Sequence, residues 1–226
     1  MNITEILKKR RATRSFLPSP IPSEVLEEIL RLGCLAPSSY NLQPWRFIIV
    51  TEAEHKAKLR EFCFEQEKLT EASAVLICCG DRQVNQKKYI NKVIELGKQV
   101  GSMNEKRAKF MHMAIPSFFQ FKPCYQFMEA WTNRQVMIAA TYMMIAAQSL
   151  GVDSCPIEGF VAKPLREYFQ IPDHVDVCCL LALGYAAEPY SQYGGRFELD
   201  QLCYGEIYGE AFELGPISHE RTVEYT

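Results

Sequence analysis

The sequence predicts a single α+β domain in which helices surround a mostly buried sheet. Continuous apolar runs at residues 74–79 and 175–183 are typical of central strands that are covered on both faces. Apolar residues recur with helical spacing at residues 22–33, before those runs. Between the runs, residues 133–150 are nearly continuously apolar and predict a buried helix. A chain of 226 residues can bury a core of this kind without disulfides or metal ions.

The composition is that of a soluble globular protein, with 48% hydrophobic and 23% charged residues. A net charge of -2 gives no global reason to expect nucleic acid as a partner. Two pairs of adjacent cysteines, Cys78-Cys79 and Cys178-Cys179, lie in apolar runs and are typical of reduced, buried thiols. The four histidines are widely spaced and no Cys-x-x-Cys occurs, so no zinc spacing can be assembled. The N-terminus lacks a signal-peptide pattern, and we expect a cytoplasmic chain without a membrane partner.

The first half of the chain predicts two helices, a strand and a third helix. A capping box at Asn2–Glu5 predicts a short N-terminal helix. A second helix begins at Pro22 and must end before Pro37. The β-branched and aromatic run Trp45–Val50 predicts a strand. A charged helical stretch follows over roughly residues 52–68.

The second half alternates strand and helix signals and ends in a glycine-rich segment. A second strand is predicted at 74–79, and residues 85–127 mix a polar helical segment with an aromatic-rich one. The apolar helix at 133–150 belongs either in the core or in a dimer interface. A third strand is predicted at 175–183. Residues 186–226 contain several glycines without a clear period, so we expect an extended, turn-rich arm of the same 1–226 domain.

Several common cofactor and catalytic motifs are absent from the sequence. No strand is followed by Gly-x-Gly-x-x-Gly, and neither a P-loop nor a Gly-x-Ser-x-Gly elbow occurs. These absences argue against a Rossmann dinucleotide site, a P-loop nucleotidase and the commonest serine hydrolases. An enzyme without such motifs can take its chemistry from a bound cofactor.

The first segment that can carry chemistry is Arg10-Arg11-Ala12-Thr13-Arg14-Ser15-Phe16, here called the arginine segment. Three guanidinium groups within five residues can each donate paired hydrogen bonds to a phosphate. The same cations could instead complement the negative end of the first helix. Residue chemistry alone leaves both interpretations open.

Two further segments offer polar groups suited to a ligand. The polar loop, residues 37–44, carries serine hydroxyls and side-chain amides that suit a heterocycle edge or a polyol chain. It could equally be an ordinary polar connection. Downstream of Gln135, Pro156-Ile157-Glu158-Gly159-Phe160 is interpreted as a short loop, which could also be a plain turn between a strand and a helix.

Taken together and in this order, the three segments resemble the FMN-dependent nitroreductase family. The pattern is Arg-Arg-x-x-Arg-x-Phe, then Pro-Ser-Ser-x-Asn-x-Gln-Pro-Trp, then Gln followed by Pro-Ile-Glu-Gly-Phe. The similarity extends from the N-terminal helix through Gly184-Tyr185. It implies a nitroreductase-like α+β fold with a central, mostly antiparallel sheet flanked by helices. It also implies an intertwined homodimer with two FMN sites at the subunit interface.

The resemblance implies roles for individual residues. The flavin phosphate and neighbouring polar groups would be bound by Arg10, Arg11 and Arg14 and by the backbone of Ala12. The residues that would come from the other subunit are Pro37, Ser38, Ser39, Asn41 and Gln135. One face of the isoalloxazine ring would be lined by Pro156, Ile157, Glu158 and Gly159, with a backbone amide near the last two donating to flavin N5.

Two cations complete the implied site. Lys68 precedes the second strand, where the family often has a basic residue near flavin N1 and O2 that stabilises the reduced, anionic flavin. It could also be a solvated helical lysine. Near the C-terminus the family usually has a Lys or Arg pair that closes on the phosphate. Here Arg196 supplies one cation and the second is missing.

The resemblance implies a ping-pong cycle without a catalytic side chain. NADH or NADPH would reduce the flavin, and a small aromatic acceptor such as a nitro compound or a quinone would then reoxidise it. Alternatives are a flavin reductase or a reductive dehalogenase on the same fold, a flavin-binding protein with little turnover, and a helical dimeric module without flavin.

In the family, residues 85–127 would cap the active site and vary with the substrate. The aromatic side chains in this region could stack on an aromatic substrate or simply pack within a helical lid. They are Phe118, Phe119, Phe121 and Tyr125.

Overall fold

A computed structural model describes residues 2–121, 127–188 and 193–212. The helices are α1 (Ile3–Lys9), α2 (Ser23–Gly33), α3 (Ala53–Phe62), α4 (Lys68–Glu71), α5 (Lys87–Gln99), α6 (Glu105–Phe121), α7 (Met128–Ser149), α8 (Ala162–Tyr168) and α9 (Leu199–Leu202). The strands are β1 (Trp45–Val50), β2 (Ala74–Asp81), β3 (Asp153–Ile157) and β4 (Val175–Gly184). Short 3₁₀ turns lie at Ser39–Asn41 and Arg82–Asn85.

The four strands form one sheet in the order β1-β2-β4-β3, and every pairing in it is antiparallel. The register pairs Trp45 with Gly80, and Ala74 with Leu183. Ser154, near the start of β3, pairs with the same Leu183 from the other side. The predicted α+β class with a central, mostly antiparallel sheet is thus confirmed.

Helices cover both faces of the sheet, as the continuous apolar runs predict. On one face α2 and α7 pack through Ile29 and Met143 against Leu76 of β2. On the other face α3 and α8 pack through Leu59 and Leu165. Because side chains alternate along a strand, Val75 and Ile77 of β2 belong to this second cluster while Leu76 belongs to the first. The central strands are therefore buried on both sides.

The long helix α7 lies very close to its neighbours because glycines face it. A Cβ atom placed on Gly33 would lie 2.1 Å from Cγ of Met143. A Cβ atom on Gly80 would lie 2.7 Å from Cβ of Thr132. These approaches fix α7 across the sheet, with Thr132 at the end of β2 and the C-terminal half of the helix against α2.

Two sequence predictions were wrong in detail. Residues 156 and 157 lie in β3, so the predicted loop begins only at Glu158. Because β3 is at the edge of the sheet, Pro156 can be accommodated there without a backbone N–H. The helix predicted across 52–68 is broken, since Phe64 and Glu65 have positive φ angles of 56° and 58° between α3 and α4.

The chain divides into two compact units, Met1–Pro189 and Tyr190–Thr226. In the second unit the structure describes residues 193–212, which contain α9 and an isolated bridge between Tyr204 and Ala211. Within the described helices, no stretch combines the length and apolar character needed to cross a membrane.

Candidate cofactor site

The arginine segment leaves α1 and is held across one end of the sheet by backbone hydrogen bonds. The N–H of Thr13 donates to the carbonyl of Ser154 at 3.1 Å. The N–H of Leu17 donates to the carbonyl of Tyr185, just after β4, at 2.8 Å. The N–H of Phe16 donates to Oε2 of Glu71 at 3.0 Å, which ties the segment to α4 as well. The backbone of this segment is therefore fixed by three different elements.

Three side-chain polar atoms at this end of the sheet are buried but have no hydrogen-bond partner among the described residues. They are the guanidinium Nη1 of Arg10 and the hydroxyls of Thr13 and Ser154. Leaving a buried polar group unpaired costs about 1–3 kcal/mol. Thr13 and Ser154 are also joined through their backbones, and Arg10 lies three residues before Thr13 in the chain. A cation with two hydroxyls suits a bound phosphate.

The other two arginines of the segment differ from Arg10. Arg11 is half-buried, and its Nη1 donates to the carbonyl of Arg10 at 2.8 Å. Arg14 and Ala12 are exposed. The cations that follow the negative end of α1 are Lys8 and Lys9 in its last turn. Arg10 is the C-cap of the same helix, so the dipole interpretation applies to it as well, but that interpretation does not account for its buried Nη1, which has no partner among the described residues.

Lys68 lies between the arginine segment and the loop after β3. It is the first residue of α4, the helix whose Glu71 accepts from Phe16. Two residues before it, Nε2 of Gln66 donates to the carbonyl of Gly159 at 3.1 Å. The Lys68 side chain is half-buried and has no ion-pair partner in the described part of the chain. Its charge is consequently available to a ligand near the arginine segment and the loop after β3.

The loop after β3 presents backbone more than side chains. Ile157 is buried, whereas Glu158 and Gly159 are exposed where the chain leaves the strand. Over residues 2–121, 127–188 and 193–212, the N–H groups of Glu158 and Gly159 have no backbone partner. Free amides at this position are consistent with donation to a ligand edge.

The polar loop has a strained backbone. Three of its residues have positive φ angles, 54° at Tyr40, 55° at Asn41 and 43° at Gln43. The left-handed backbone conformation costs a non-glycine residue about 1–2 kcal/mol in conformational energy. The hydroxyl of Ser38 accepts from the N–H of Gln43 at 2.9 Å, which helps to hold this shape. Strain concentrated in one loop is typical of ligand-binding sites.

Gln135 connects the polar loop to α7. Its Oε1 accepts from the N–H of Ser39 at 3.0 Å, and only 8% of the residue is exposed. Gln135 lies one helical turn after Thr132, the residue that packs on Gly80. The loop and this part of α7 thus share the end of the sheet where β1 begins.

Within one chain, the two groups of site residues lie at opposite corners of the sheet. Ser154 lies beside Leu183, the partner of Ala74, at the end of the sheet where β2 begins. The polar loop leads into Trp45, which pairs with Gly80 near the other end of β2. Six residues of strand separate these two positions by about 20 Å, and three strand spacings separate β1 from β3 by about 14 Å. Each chain therefore carries two half-sites.

Of the predicted lid aromatics, those that the structure describes do not behave alike. Phe119 is a core residue that packs edge-on against Trp131, with ring centroids 4.9 Å apart. Phe118 packs on Tyr40 of the polar loop at 5.4 Å. Phe121 is 68% exposed, and Tyr125 lies outside the described residues. Packing therefore accounts for Phe118 and Phe119.

Arg196 belongs to the second unit, where it contacts its own neighbours. Its Nη1 donates to the carbonyl of Gly195 at 2.5 Å. Its guanidinium carbon lies 5.5 Å from the centre of the Tyr193 ring, in a cation–π contact. Its assignment to the phosphate stays a prediction.

The buried thiols are not suited to nucleophilic chemistry. Burial raises the pKa of Cys63 and of Cys79 to about 12. A hydrogen bond to Cys179 and burial raise the pKa of Cys78 as well. Because the thiolate is the reactive form, these cysteines stay protonated and inert at neutral pH. The site residues described above are the better candidates for function.

Known proteins share this fold and sequence. A Thermus thermophilus protein named NADH dehydrogenase is 33% identical over 180 residues, which cover 80% of this chain and 84% of that protein. The oxygen-insensitive NADPH nitroreductase of Helicobacter pylori is 28% identical over 88% of this chain and 95% of its own. A crystal structure from Exiguobacterium sibiricum, described as a nitroreductase in complex with FMN, superposes with a TM-score of 0.83. It is 25% identical, and the match covers 91% of this chain and 98% of that one.

The family match spans the whole of the first unit's site. The profile of the nitroreductase family matches residues 7–185, from within α1 to just after β4. The matched range contains the arginine segment, the polar loop, Lys68, Gln135 and the loop after β3. The chain therefore belongs to the nitroreductase family of oxidoreductases.

Proposed function

We propose that this chain is an FMN-dependent oxidoreductase that uses NADH or NADPH to reduce a small aromatic acceptor, such as a nitro compound or a quinone. The observation that carries the proposal is that buried donor atoms of Arg10, Thr13 and Ser154 have no hydrogen-bond partner among the residues that the structure describes. FMN ends in a phosphate, the group that such donors bind best. The FMN in the similar Exiguobacterium sibiricum structure supports the same assignment.

The described residues fit the different parts of FMN. Arg10, Arg14 and the two hydroxyls would bind the phosphate. The free amides at Glu158 and Gly159 would donate to one edge of the ring, and Lys68 would offset negative charge that develops on it. Bound FMN would supply hydride transfer, first from the nicotinamide and then, in a separate half-reaction, to the acceptor. The protein's part is to position the ring and to tune its charge.

We further propose that the active form is a homodimer, because one chain carries its two half-sites at opposite corners of the sheet. A second copy would bring the polar loop and Gln135 of one chain to the arginine segment of the other. An apolar surface supports this pairing: α1 packs against α7, and both leave large apolar side chains exposed. These side chains are Ile3, Leu7, Ile138 and Tyr142.

A reducing, cytoplasmic setting also fits the chain. The cysteines of the described residues are free, and most of them are buried in strands or against helices. Disulfides are rare in reducing compartments, so free thiols in this number suit the cytoplasm.

The visible absorption spectrum of the purified protein tests the cofactor and the turnover together. We expect a yellow protein whose flavin absorbance bleaches when NADH or NADPH is added without oxygen. A protein that stays colourless after FMN is supplied would overturn the proposal. A yellow protein that reduces only very slowly with either nucleotide would instead be a flavin-binding protein without useful turnover.

The dimer is tested by placing charges on its apolar surface. The double variant Leu7→Glu, Tyr142→Glu should elute as a monomer in size-exclusion chromatography with light scattering, and it should lose FMN. Val100→Glu adds a charge at a position 70% exposed at the end of α5 and should leave both properties unchanged. A monomeric double variant that still binds FMN with wild-type affinity would contradict the shared site.

A further inference from the structure

A cavity of about 480 Å³ lies between the polar loop and the helices α5 and α6. Ser38 and Asn41 line it from the loop. Met103, Arg107, Phe110 and Met111 line it from the start of α6 and the residues before it. Its volume falls within the range of about 300–1,000 Å³ that is typical of small-molecule sites.

We propose that this cavity receives the electron acceptor and that Arg107 selects aromatic acceptors that carry an anionic group such as a carboxylate. The inference rests on the proposed function, because Ser38 and Asn41 belong both to the cavity and to the loop assigned to the flavin. The inference specifies the class of acceptor that the proposed oxidoreductase prefers and names Arg107 as the residue that determines this preference.

The charge of Arg107 is available to a ligand. In the described residues its guanidinium has no ion-pair partner, although a carboxylate lies close in sequence. That carboxylate, Glu105, is bound by Lys98 at 2.9 Å, a contact that lowers the pKa of Glu105. The backbone of Arg107 is fixed in turn, since its N–H donates to Oδ1 of Asn104 at 2.9 Å. The cation is therefore presented from an ordered helix start.

The other side chains of the cavity suit an aromatic ring. Met111 is 5% exposed and forms part of the core beneath α6. Phe110 is 53% exposed, next to Met111 in the chain, and one helical turn after Arg107. Thioether and aromatic groups make favourable contacts with flat rings. One unpaired cation among such groups favours a ligand with an apolar body and a single negative charge.

A matched pair of ligands isolates the charge. 4-Nitrobenzoate and 4-nitrobenzamide have nearly the same shape and differ in charge. Calorimetric titration of the oxidised, FMN-loaded protein without nicotinamide measures binding without reaction. We expect the benzoate to bind more tightly than the benzamide to the wild type. In Arg107→Gln the affinity for the benzoate should fall about tenfold, while that for the benzamide stays unchanged.

The controls separate Arg107 from the general surface charge. Lys106→Gln removes a neighbouring exposed cation that does not line the cavity and should change neither affinity. Arg107→Lys keeps the charge and should retain most of the preference for the benzoate. The KM values for the two compounds should follow the same pattern, and the melting temperature of each variant confirms folding.

The outcomes also distinguish this inference from the function on which it rests. Equal affinities for the two ligands in the wild type, an equal loss of both in Arg107→Gln, or the same loss in Lys106→Gln would overturn the role of Arg107. A protein that bleaches with NAD(P)H but shows one of these results keeps its proposed function. A protein that never binds FMN loses that function, and with it the inference.

Discussion

The arginine segment and the polar loop are both assigned to the same cofactor, yet the chain builds them in opposite ways. The arginine segment has no residue with a positive φ angle, is tied to Ser154 and Tyr185 by backbone hydrogen bonds, and carries buried side-chain donors that have no partner among the described residues. In the polar loop the backbone is strained at three positions, while Ser38 and the linked Gln135 are already hydrogen-bonded.

This difference indicates how each half-site would contribute to the binding of FMN. Unpaired, charged donors gain most when an anion arrives, because the anion relieves their desolvation. The polar loop carries no charged residue, and the oxygens of Ser38 and Gln135 already accept hydrogen bonds from its backbone, so the loop gains little from charge. It contributes a fixed shape, whose ordering has been completed before the ligand binds. The first region would therefore supply most of the affinity and the second most of the positioning.

The largest effect is expected from removing the charge of the arginine segment. Arg10→Ala together with Arg14→Ala should weaken FMN binding by at least about a hundredfold, since hydrogen bonds to charged groups contribute about 1.5–3 kcal/mol each. The fold should persist, because the lost Nη1 of Arg10 makes no hydrogen bond within the described part of the chain. Fluorescence titration with FMN measures the change.

The matched control for this variant lies on α1, directly before the arginine segment. Lys8→Ala with Lys9→Ala removes two exposed cations from the last turn of α1 and should change FMN affinity by less than about threefold. Should both double variants lose affinity equally, general attraction would replace specific phosphate binding as the explanation.

A smaller effect is expected in the polar loop. Gln135→Met removes the acceptor for the N–H of Ser39 and leaves that group unpaired, at a cost of about 1–3 kcal/mol. FMN affinity should fall about tenfold. Gln148→Met alters another buried glutamine of α7, which is 3% exposed, and should leave FMN affinity unchanged. A loss of affinity in Gln148→Met, or none in Gln135→Met, would remove the positioning role from Gln135.

Lys68 should affect the potential of the flavin more than its affinity. Lys68→Met removes a half-buried cation close to the predicted ring site, which should make reduction of FMN harder by about 30 mV, or about 1.4 kcal/mol for two electrons. Lys68→Arg keeps the charge and should retain the wild-type potential. Equilibrium reduction against a dye of known potential decides this. An unchanged potential in Lys68→Met would make it a solvated helical lysine.

Much of the fold could be predicted because its central strands are long and apolar. The predictions at 45–50, 74–79 and 175–183 match β1, β2 and β4 closely. The remaining strand, β3, was missed since it has five residues, one of them a proline, and lies at the sheet edge. Such a short run carries too few residues for the period of two to be recognised.

The site could be predicted only in part. The motifs predicted Arg10 and the polar loop as site residues, which stays a prediction, and they gave no reason to single out Thr13 or Ser154. These hydroxyls are far apart in sequence, and only the backbone hydrogen bond between the two segments brings them together. The left-handed backbone of the polar loop could not be predicted from the sequence either, because its residues are not glycines and their φ angles depend on tertiary contacts.

The smallest expected effect measures that left-handed strain directly. Asn41 is exposed with a φ of 55°, a region that alanine avoids and glycine accepts freely. Asn41→Ala should lower the free energy of unfolding of the FMN-free protein by about 0.5–1 kcal/mol, whereas Asn41→Gly should stay within about 0.5 kcal/mol of the wild type. Chemical denaturation measures both. Because either change removes the side-chain amide, both variants should lose the same small part of FMN affinity if that amide contacts the flavin. A loss confined to Asn41→Ala would instead show that backbone shape, and not the amide, is what the polar loop provides at this position.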